Sequence, residues 1–531
     1  MTDSSNERRL RHPGMASGGG SGQGGGGRER IDPTVDVHLR SWVESANDAG
    51  TDFPVQNLPF CTFVPNEGER PKTLGLAGDE ERGGGPGARG VRGGEGNGAD
   101  RGRSDDGDTH DEGEDDIGKL GVAIGDSVLD LDMLMHAGAF DDSTLEGEEV
   151  DDDFLEELHE CLHYGGLQEL VALPAEFARF LREQAQSFLL DGGPSGGQTA
   201  RRLRAKAVRK MSEVSFKAPL RPLNYTDFYA SIHHARTVGS MFRPENPLLP
   251  NYKHVPIGYH GRASSIVGSG TEIKRPRGQT NIENAATPTF GPSKRLDYEM
   301  EVGAIIAGGN LMGEAIEIED ALEYFFGAVL VNDWSTRDVQ AWEYQPLGPF
   351  LAKNFATTIS PFVVTRDALR PFFVAGAARP EGDPAPMDYL RGGPEAGLDV
   401  TLEVRLRSAR MRAEGMEAFR VSRGSFREMY WTLAQMITHH TVNGCNLEAG
   451  DLLASGTVSG AGAGERGCML ELTWVGNGAD GKPLPRKAIE LPTGEKRVFL
   501  EDGDEVVMTG WCERAGYRRV GFGECRGVVV G

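Results

Sequence analysis

Short apolar runs broken by turn residues dominate the chain from about residue 217 onward. "VGAIIAG", "GAVLVND", "PFVV", "LDVTLEVRLR", "DLLASGTVSG", "CMLELTW" and "RVFLEDGDEVVMTGWC" each predict a strand. The turns recur at short intervals, which favours a closed or folded-over sheet over alternating strand and helix units. Nearer the N-terminus, Val122-Ala123-Ile124 and Val128-Leu129 flank Gly125-Asp126, a hairpin signal. Apolar residues three and four apart predict helices in "EEVDDDFLEELHECLHYGG" and "PAEFARFLREQAQSFLL", and a basic linker helix is expected at "TARRLRAKAVRKMSEV". One long helix is expected across "SFREMYWTLAQMITHHTVNG". There Ser425 and Glu428 have the spacing of a capping box and Asn443-Gly444 supplies the stop. His439 and His440 fall in its last turn, where a cation suits the helix dipole. The expected class is mainly β, of the α+β kind.

A chain of 531 residues has room for two or more domains. Residues 1–45, with "ASGGGSGQGGGGRER" among them, hold few apolar side chains and are expected to form a disordered tail. From about 74 to 117 glycine, arginine and acid follow one another with no hydrophobic period, as in "GGGPGARGVRGGEGNGADRGRSDDGD", which predicts a disordered insertion. Between and beyond these lie a small unit of strands and helices over 46–216 and a larger one over 217–531. Much of the glycine excess, 74 residues in all, therefore describes tails and not the fold.

The formal net charge of -24 argues against nucleic-acid or acidic-membrane partners, since phosphate binding needs a basic surface. Six cysteines are scattered without a C-x-x-C pair, so neither a disulfide framework nor a thiolate zinc site is suggested. No stretch is apolar for eighteen residues and the N-terminus lacks a hydrophobic signal core. A cytoplasmic protein is expected; the early arginines and serines leave an organelle-targeting alternative, against which Asp3 and Glu7 count.

Candidate chemistry begins at "KRLDYEMEV". Glu299 and Glu301 stand two apart between Tyr298, Met300 and Val302, so a strand puts both carboxylates on one face. "GAVLVNDWSTRDVQAWEY" ends an apolar strand at Asp333, and "NYTDFYASIHHARTVGSMFR" sets Asp227 among aromatics. Buried charges need partners. Oxygen ligands without nearby cysteine point to a hard divalent cation, Mg2+ or Ca2+. The residues alone leave a rival open: separate salt bridges to the many arginines.

The stretches "NYTDFYASIHHARTVGSMFR", "VPIGYHGRASSIVGSGTEIKRPRGQ", "LDYEMEV", "VLVNDWSTRDVQAWEYQPLGPFLAKNFATTISPFVV", "THHTVNGCNLEAGDLLASGTVSG" and "MLELTW" resemble the fumarylacetoacetate hydrolase (fumarylacetoacetase) family, from about residue 52 to the C-terminus. The resemblance implies a homodimer whose protomer has a small N-terminal SH3-like barrel and a larger C-terminal domain of mixed, rolled sheets. It implies metal ligation by Asp227, Glu299, Glu301 and Asp333, with Lys353 and Thr357 at a secondary metal-associated position. It implies hydrolysis of a carbon-carbon bond in a 1,3-diketo acid, 4-fumarylacetoacetate, to fumarate and acetoacetate. His234 is then the general base, oriented by Glu471, while Arg337, Gln340 and Lys353 serve the developing oxyanion. Tyr229, Arg243, Tyr259, Gln340, Tyr344 and Thr457 match substrate-binding positions. The adjacent His233 is expected to face away on an extended segment. Ser335 is a possible N-cap, with Asp338 at its third position, for a turn bringing Arg337 and Gln340 to one side.

Two other readings compete. A related family hydrolase or decarboxylase would act on another acylpyruvate or diketo acid, but minimal relatives would lack the small N-terminal unit. An acidic calcium-binding protein would need no base and no oxyanion donors, so His234, Glu471, Arg337 and Lys353 count against it.

Overall fold

The strand Phe325–Asp333 is buried along its whole length, and so is its antiparallel neighbour Met300–Ile306. Strands covered on both faces belong at the centre of a sheet, and these two anchor the main one. The computed structural model describes residues 32–66, 118–140, 144–145, 148–192, 197–281, 285–393, 395–479 and 483–531. The main sheet has 13 strands. From Met300–Ile306 it runs one way through Leu452–Ala454, Tyr225–Phe228 and Gly258–His260. The other way it passes through Phe325–Asp333, Phe362–Thr365, Phe60–Pro65, Lys119–Ile124, Ser127–Asp130 and Val208–Lys210. Pairing is mixed: Leu452–Ala454 lies parallel to Tyr225–Phe228, and Ile266–Gly268 parallel to Thr357–Ile359. A second sheet of 5 strands orders Glu272–Lys274, Val520–Val530, Glu505–Cys512, Thr401–Arg407 and Phe419–Ser425. The sheet-rich α+β class is as expected. Among the described residues no helix is long and apolar enough to cross a membrane.

The early strands do not close into a barrel among the described residues. They extend the main sheet, Phe60 facing Val363 and Cys61 facing Phe362 in antiparallel register. One apolar cluster joins Phe60, Val122 and Leu129 to Val329, Val331 and Val363, so packing crosses residue 217 without a seam. The hairpin at Gly125-Asp126 is present, with Gly125 at a φ of 57° that favours glycine.

Residues 32–45, expected in the tail, are folded. The buried Arg182 and Gln186 of helix Ala175–Leu189 need acceptors, and this segment shares that task with Val55 and Gln56. Arg182 Nη1 donates to Thr34 Oγ1 at 2.5 Å and Nη2 to the Gln56 carbonyl at 2.6 Å, while Gln186 Nε2 donates to the carbonyls of Thr34 and Val55 at 2.8 Å. The rest of the expected tail, and the insertion at 74–117, lie outside the described residues.

Three expected elements differ. The long helix from Ser425 is a single turn, Phe426–Glu428, and then a separate helix, Leu433–Thr441, capped by Thr432 and Gln435. Tyr430 and Trp431 interrupt it because both are buried: the Tyr430 N–H donates to the Ala230 carbonyl and Trp431 Nε1 to the Tyr252 carbonyl. The basic helix stops at Ala207, where Val208–Lys210 joins the sheet edge. "CMLELTW" is a helical turn, Met469–Leu472, and not a strand. His440 does sit in the last turn, but burial and then the neighbouring His260 push its imidazole down to about 4. Near neutral pH it is an uncharged ring 2.8 Å from Thr226 Oγ1, not a cation serving the helix dipole.

Replacing Arg182 and Gln186 together by Ala is expected to release residues 32–57 and lower stability by about 3 kcal/mol or more, from the lost charged hydrogen bonds. Limited trypsin digestion read by mass spectrometry should then show new cleavage at Arg40, with a lower urea midpoint.

Candidate active site

Period two carries the acids to one place. Val331 and Asp333 share a face of their strand, and Glu301 pairs with Val331 across the sheet, so Glu301 lies on that face too. Ala454 pairs with both Gly303 and Asp227 and carries the same face to Asp227. Glu299 enters just ahead of its strand, in step with Glu301. Along most of its length this face is apolar, with Ile305, Val329 and Val331 in the core shared with the N-terminal strands. At its end the polarity inverts. Asp227, Glu299, Glu301 and Asp333 are all buried, and one carboxylate oxygen from each lies within 4.8 Å of the others.

The protein compensates two of the four. Lys353 Nζ stands 2.5 Å from Glu299 Oε2 and 2.6 Å from Asp333 Oδ2. Arg337 Nη1 lies 2.6 Å from Glu299 Oε1, Tyr259 donates to Asp333 Oδ2 at 3.0 Å, and Thr357 Oγ1 donates to Asp333 Oδ1 at 2.9 Å. Burial pushes the Glu299 carboxyl up, but Lys353 and Arg337 outweigh it and hold the group below the usual range. Burial also opposes the Lys353 ammonium, yet Asp333 and Glu299 keep it firmly charged.

Among the described residues no cation forms an ion pair with Asp227 or Glu301. Burial, then the neighbouring carboxylates, raise both well above the usual range. Asp227 Oδ1 and both oxygens of Glu301 are buried with no hydrogen bond. Orphaned carboxylate oxygens facing two already paired acids fit a hard divalent cation. Among the described residues no arginine pairs with these two acids, so separate salt bridges to arginine do not account for them.

A second pair lies beside this cluster. His234 sits in the first turn of helix Ile232–Phe242, its N–H received by the N-cap Ser231 at 3.2 Å. The segment is helical and not extended, but neighbours about 100° apart on a helix still diverge. His234 is buried, while His233 is turned toward Glu428, 3.8 Å away. His234 Nδ1 is 2.7 Å from Glu471 Oε2. Burial raises Glu471, but His234 and a hydrogen bond from Ser459 at 2.6 Å outweigh it, so the group is ionised. An ionised carboxylate only accepts, which puts the proton on Nδ1 and leaves the lone pair on Nε2. The His234 imidazole stands close enough to Glu299 for the two to interact electrostatically, and the Tyr229 ring meets it edge-on at 5.3 Å.

Asp297 was missed by the sequence reading. It is fully buried, accepts from Arg337 Nε at 2.9 Å, and also accepts from the N–H groups of Met469 and Leu470 at 2.8 and 2.9 Å. Those two N–H groups open the turn that carries Glu471, which explains why "CMLELTW" is helical here. Its signal was present: in "LDYEMEV" Asp297 continues the period-two series of Glu299 and Glu301. Ser459, which holds Glu471, carried no comparable pattern.

Gln340 Oε1 receives Arg337 Nη1 at 3.1 Å, so the two do share a side of helix Arg337–Glu343. The N-cap is Thr336, without a side-chain bond; Ser335 lies in a short strand and donates to the Asp333 carbonyl, while Asp338 receives Ser293 Oγ and the Lys294 N–H. Tyr344 packs on Phe242 at 5.9 Å, beside Arg243, whose Nη2 donates to the Pro247 carbonyl. Thr457 Oγ1 is buried without a partner. Among the described residues no hydrogen bond or ion pair ties Tyr344, Arg243 or Thr457 to the carboxylates.

A buried carboxylate quartet that could bind a metal ion stands beside an acid-histidine pair, and the comparisons give this arrangement a family. Residues 224–530 match the Fumarylacetoacetate (FAA) hydrolase C-terminal family model and residues 109–219 the Fumarylacetoacetase N-terminal one. The chain belongs to the fumarylacetoacetate hydrolase family, whose members are metal-dependent. Its relatives there include the fumarylacetoacetase of Bos taurus, 45% identical over 492 residues, spanning 92% of this chain and 98% of the relative. That of Homo sapiens is 44% identical with the same coverage, and that of Caenorhabditis elegans is 46% identical over 77% of this chain and 91% of its own. A solved fumarylacetoacetate hydrolase from psychrophilic Exiguobacterium antarcticum is more distant, with 18% identity and a TM-score of 0.39 over 78% of this chain and 95% of that one.

Two outcomes are expected from this geometry. Asp297→Asn should lower stability by about 3–5 kcal/mol, the scale of breaking a buried ion pair, with a matching fall in thermal midpoint. Because the raised Asp227 and Glu301 hold protons in the fold that the unfolded chain releases, metal-free protein should lose stability as pH rises above about 4. Excess Mg2+ should remove that loss, as thermal unfolding across pH with chelator or with Mg2+ would show.

Proposed function

We infer that this chain hydrolyses the carbon-carbon bond of 4-fumarylacetoacetate to give fumarate and acetoacetate, the last step of tyrosine and phenylalanine breakdown. The observation that carries the reading is the His234–Glu471 pair beside four convergent acids, two of which leave oxygens unsatisfied. The relatives bearing the fumarylacetoacetase name over nearly their whole length support it.

Water is a poor nucleophile and an acetoacetate carbanion a poor leaving group, so both need help. His234 takes the proton of the attacking water at Nε2, and the Glu471 charge behind Nδ1 stabilises the imidazolium. The water oxygen bonds to the carbonyl carbon next to the bond that breaks, the electron pair of that bond leaves on acetoacetate, and a proton then returns to it. Arg337, Gln340 and Lys353 face the negative charge that builds on the attacked oxygen. Asp227, Glu299, Glu301 and Asp333 would hold Mg2+ or Ca2+, with Lys353 and Thr357 beside it. When bound, that cation supplies Lewis-acid stabilisation of the diketone oxygens and of the departing enolate. Tyr229, Arg243, Tyr259, Gln340, Tyr344 and Thr457 bind the substrate's carboxylates and oxygens, chemistry suited to a dianion.

The same reading includes the division into units 46–216 and 217–531, an SH3-like character for the first and a rolled sheet for the second. It also includes a homodimer in the cytoplasm with no nucleic-acid or membrane partner. The family likeness supports these features.

Purified protein with Mg2+ should consume fumarylacetoacetate, seen as loss of its ultraviolet absorbance, and a chelator should stop it. His234→Ala is expected to lower kcat by roughly 10²–10⁴-fold, and Asp333→Ala to lose both ion uptake and turnover. Full activity in His234→Ala would remove the base from the scheme, and rapid cleavage of a simpler acylpyruvate in place of this substrate would reassign the reaction within the family.

A further inference from the structure

We propose that Asp132, His136 and His163, with His159 at the rim, form a second metal site that takes a borderline transition cation such as Zn2+. None of these residues belongs to the carboxylate cluster or to the His234–Glu471 pair. Helix Leu131–His136 places Asp132 and His136 four apart on one side. Helix Asp152–Glu160 runs into a single π turn, Cys161–Gly165, and presents His159 and His163 with the same spacing.

The two helical segments pack together, and the four side chains meet between them. His136 Nδ1 lies 2.9 Å from the Asp132 backbone carbonyl and 3.1 Å from Asp132 Oδ1, and His163 Nδ1 lies 3.6 Å from that same Oδ1. One ligand atom from each of these three residues falls within 4.8 Å of the others. The three imidazoles form a near-equilateral triangle, with ring centres 5.4, 5.7 and 5.8 Å apart. Rings bound at tetrahedral angles, with N–Zn of about 2.0–2.1 Å, have centres about 5 Å apart; the His159 and His163 rings are 17° from parallel, so the converging ligands are Asp132, His136 and His163, with His159 stacked beside them.

A surface cluster of histidine and aspartate often needs no ion, and one imidazole could simply pair with the acid. Two features go beyond that. Asp132 Oδ1, the oxygen nearest two imidazole nitrogens, is buried and accepts no hydrogen bond. The other oxygen, Oδ2, lies 3.7 Å from Lys119 Nζ, itself bonded to Asp130, which leaves Oδ1 to the histidines. The donor set also separates this site from the carboxylate quartet: imidazole suits zinc, copper and nickel, whereas an all-oxygen cage suits magnesium and calcium. Bound there, the ion would tie the first helix of the N-terminal unit to the second.

The test is calorimetric titration of the full-length protein with Zn2+ in excess Mg2+, which keeps the carboxylate cluster occupied. The expected result is one tight Zn2+ equivalent, weakened on the order of 100-fold in His136→Ala and in His163→Ala. Both side chains are largely exposed, so circular dichroism and Mg2+ uptake should be unchanged in the two variants. Wild-type protein taking up no Zn2+, or both variants binding it as tightly as wild type, would overturn the proposal.

Discussion

Four carboxylates held in one buried space are the constraint around which this protein is arranged. An ionised acid removed from water costs several kcal/mol even after relaxation, and four together add mutual repulsion. The chain supplies Lys353, whose ammonium bridges two of them, and a share of Arg337, which also serves Asp297. That is two positive groups for four acids. The remainder falls on Asp227 and Glu301, where Asp227 Oδ1 and both Glu301 oxygens are buried without a donor among the described residues. The sheet thus gives up local stability at the end of one face, in a cluster that could bind a metal ion.

Arg337 and Asp297 connect this charge balance to the His234–Glu471 pair. Arg337 touches Glu299 with one end and Asp297 with the other, and Asp297 holds the first N–H groups of the turn bearing Glu471. Geometry set at the carboxylates is therefore carried, through two buried charged groups, to the carboxylate that orients His234. Both links are short and charge-assisted, the kind of hydrogen bond that fixes direction as well as distance.

What could be read from the sequence depended on whether the signal was local. Strand period placed Glu299 and Glu301 on one face, and the apolar run ending at Asp333 placed that acid at a strand end; both follow from alternation within a few residues. The class of the fold and the hairpin at Gly125-Asp126 were legible for the same reason. Asp297 shows the limit: its partners are 40 and 172 residues away, and no local pattern announces them. The broken helix before Leu433 shows another. Tyr430 and Trp431 fit a helical period, and only burial against Ala230 and Tyr252 forces them out of it. Residues 32–45 look like tail because their partners, Arg182 and Gln186, lie far along the chain. Arg243, Tyr344 and Thr457 were assigned by resemblance, and their polar atoms make no contact with the acids.

The strand Phe60–Pro65, paired with Lys119–Ile124 on one side and with Phe362–Thr365 on the other, gives the two family segments one hydrogen-bonded framework. Severing the chain between them would strip the Phe362–Thr365 strand of a neighbour and leave its backbone amides and carbonyls bare along an apolar border. Such borders recruit foreign strands, so the later segment expressed by itself would be an aggregation hazard before it could be an enzyme.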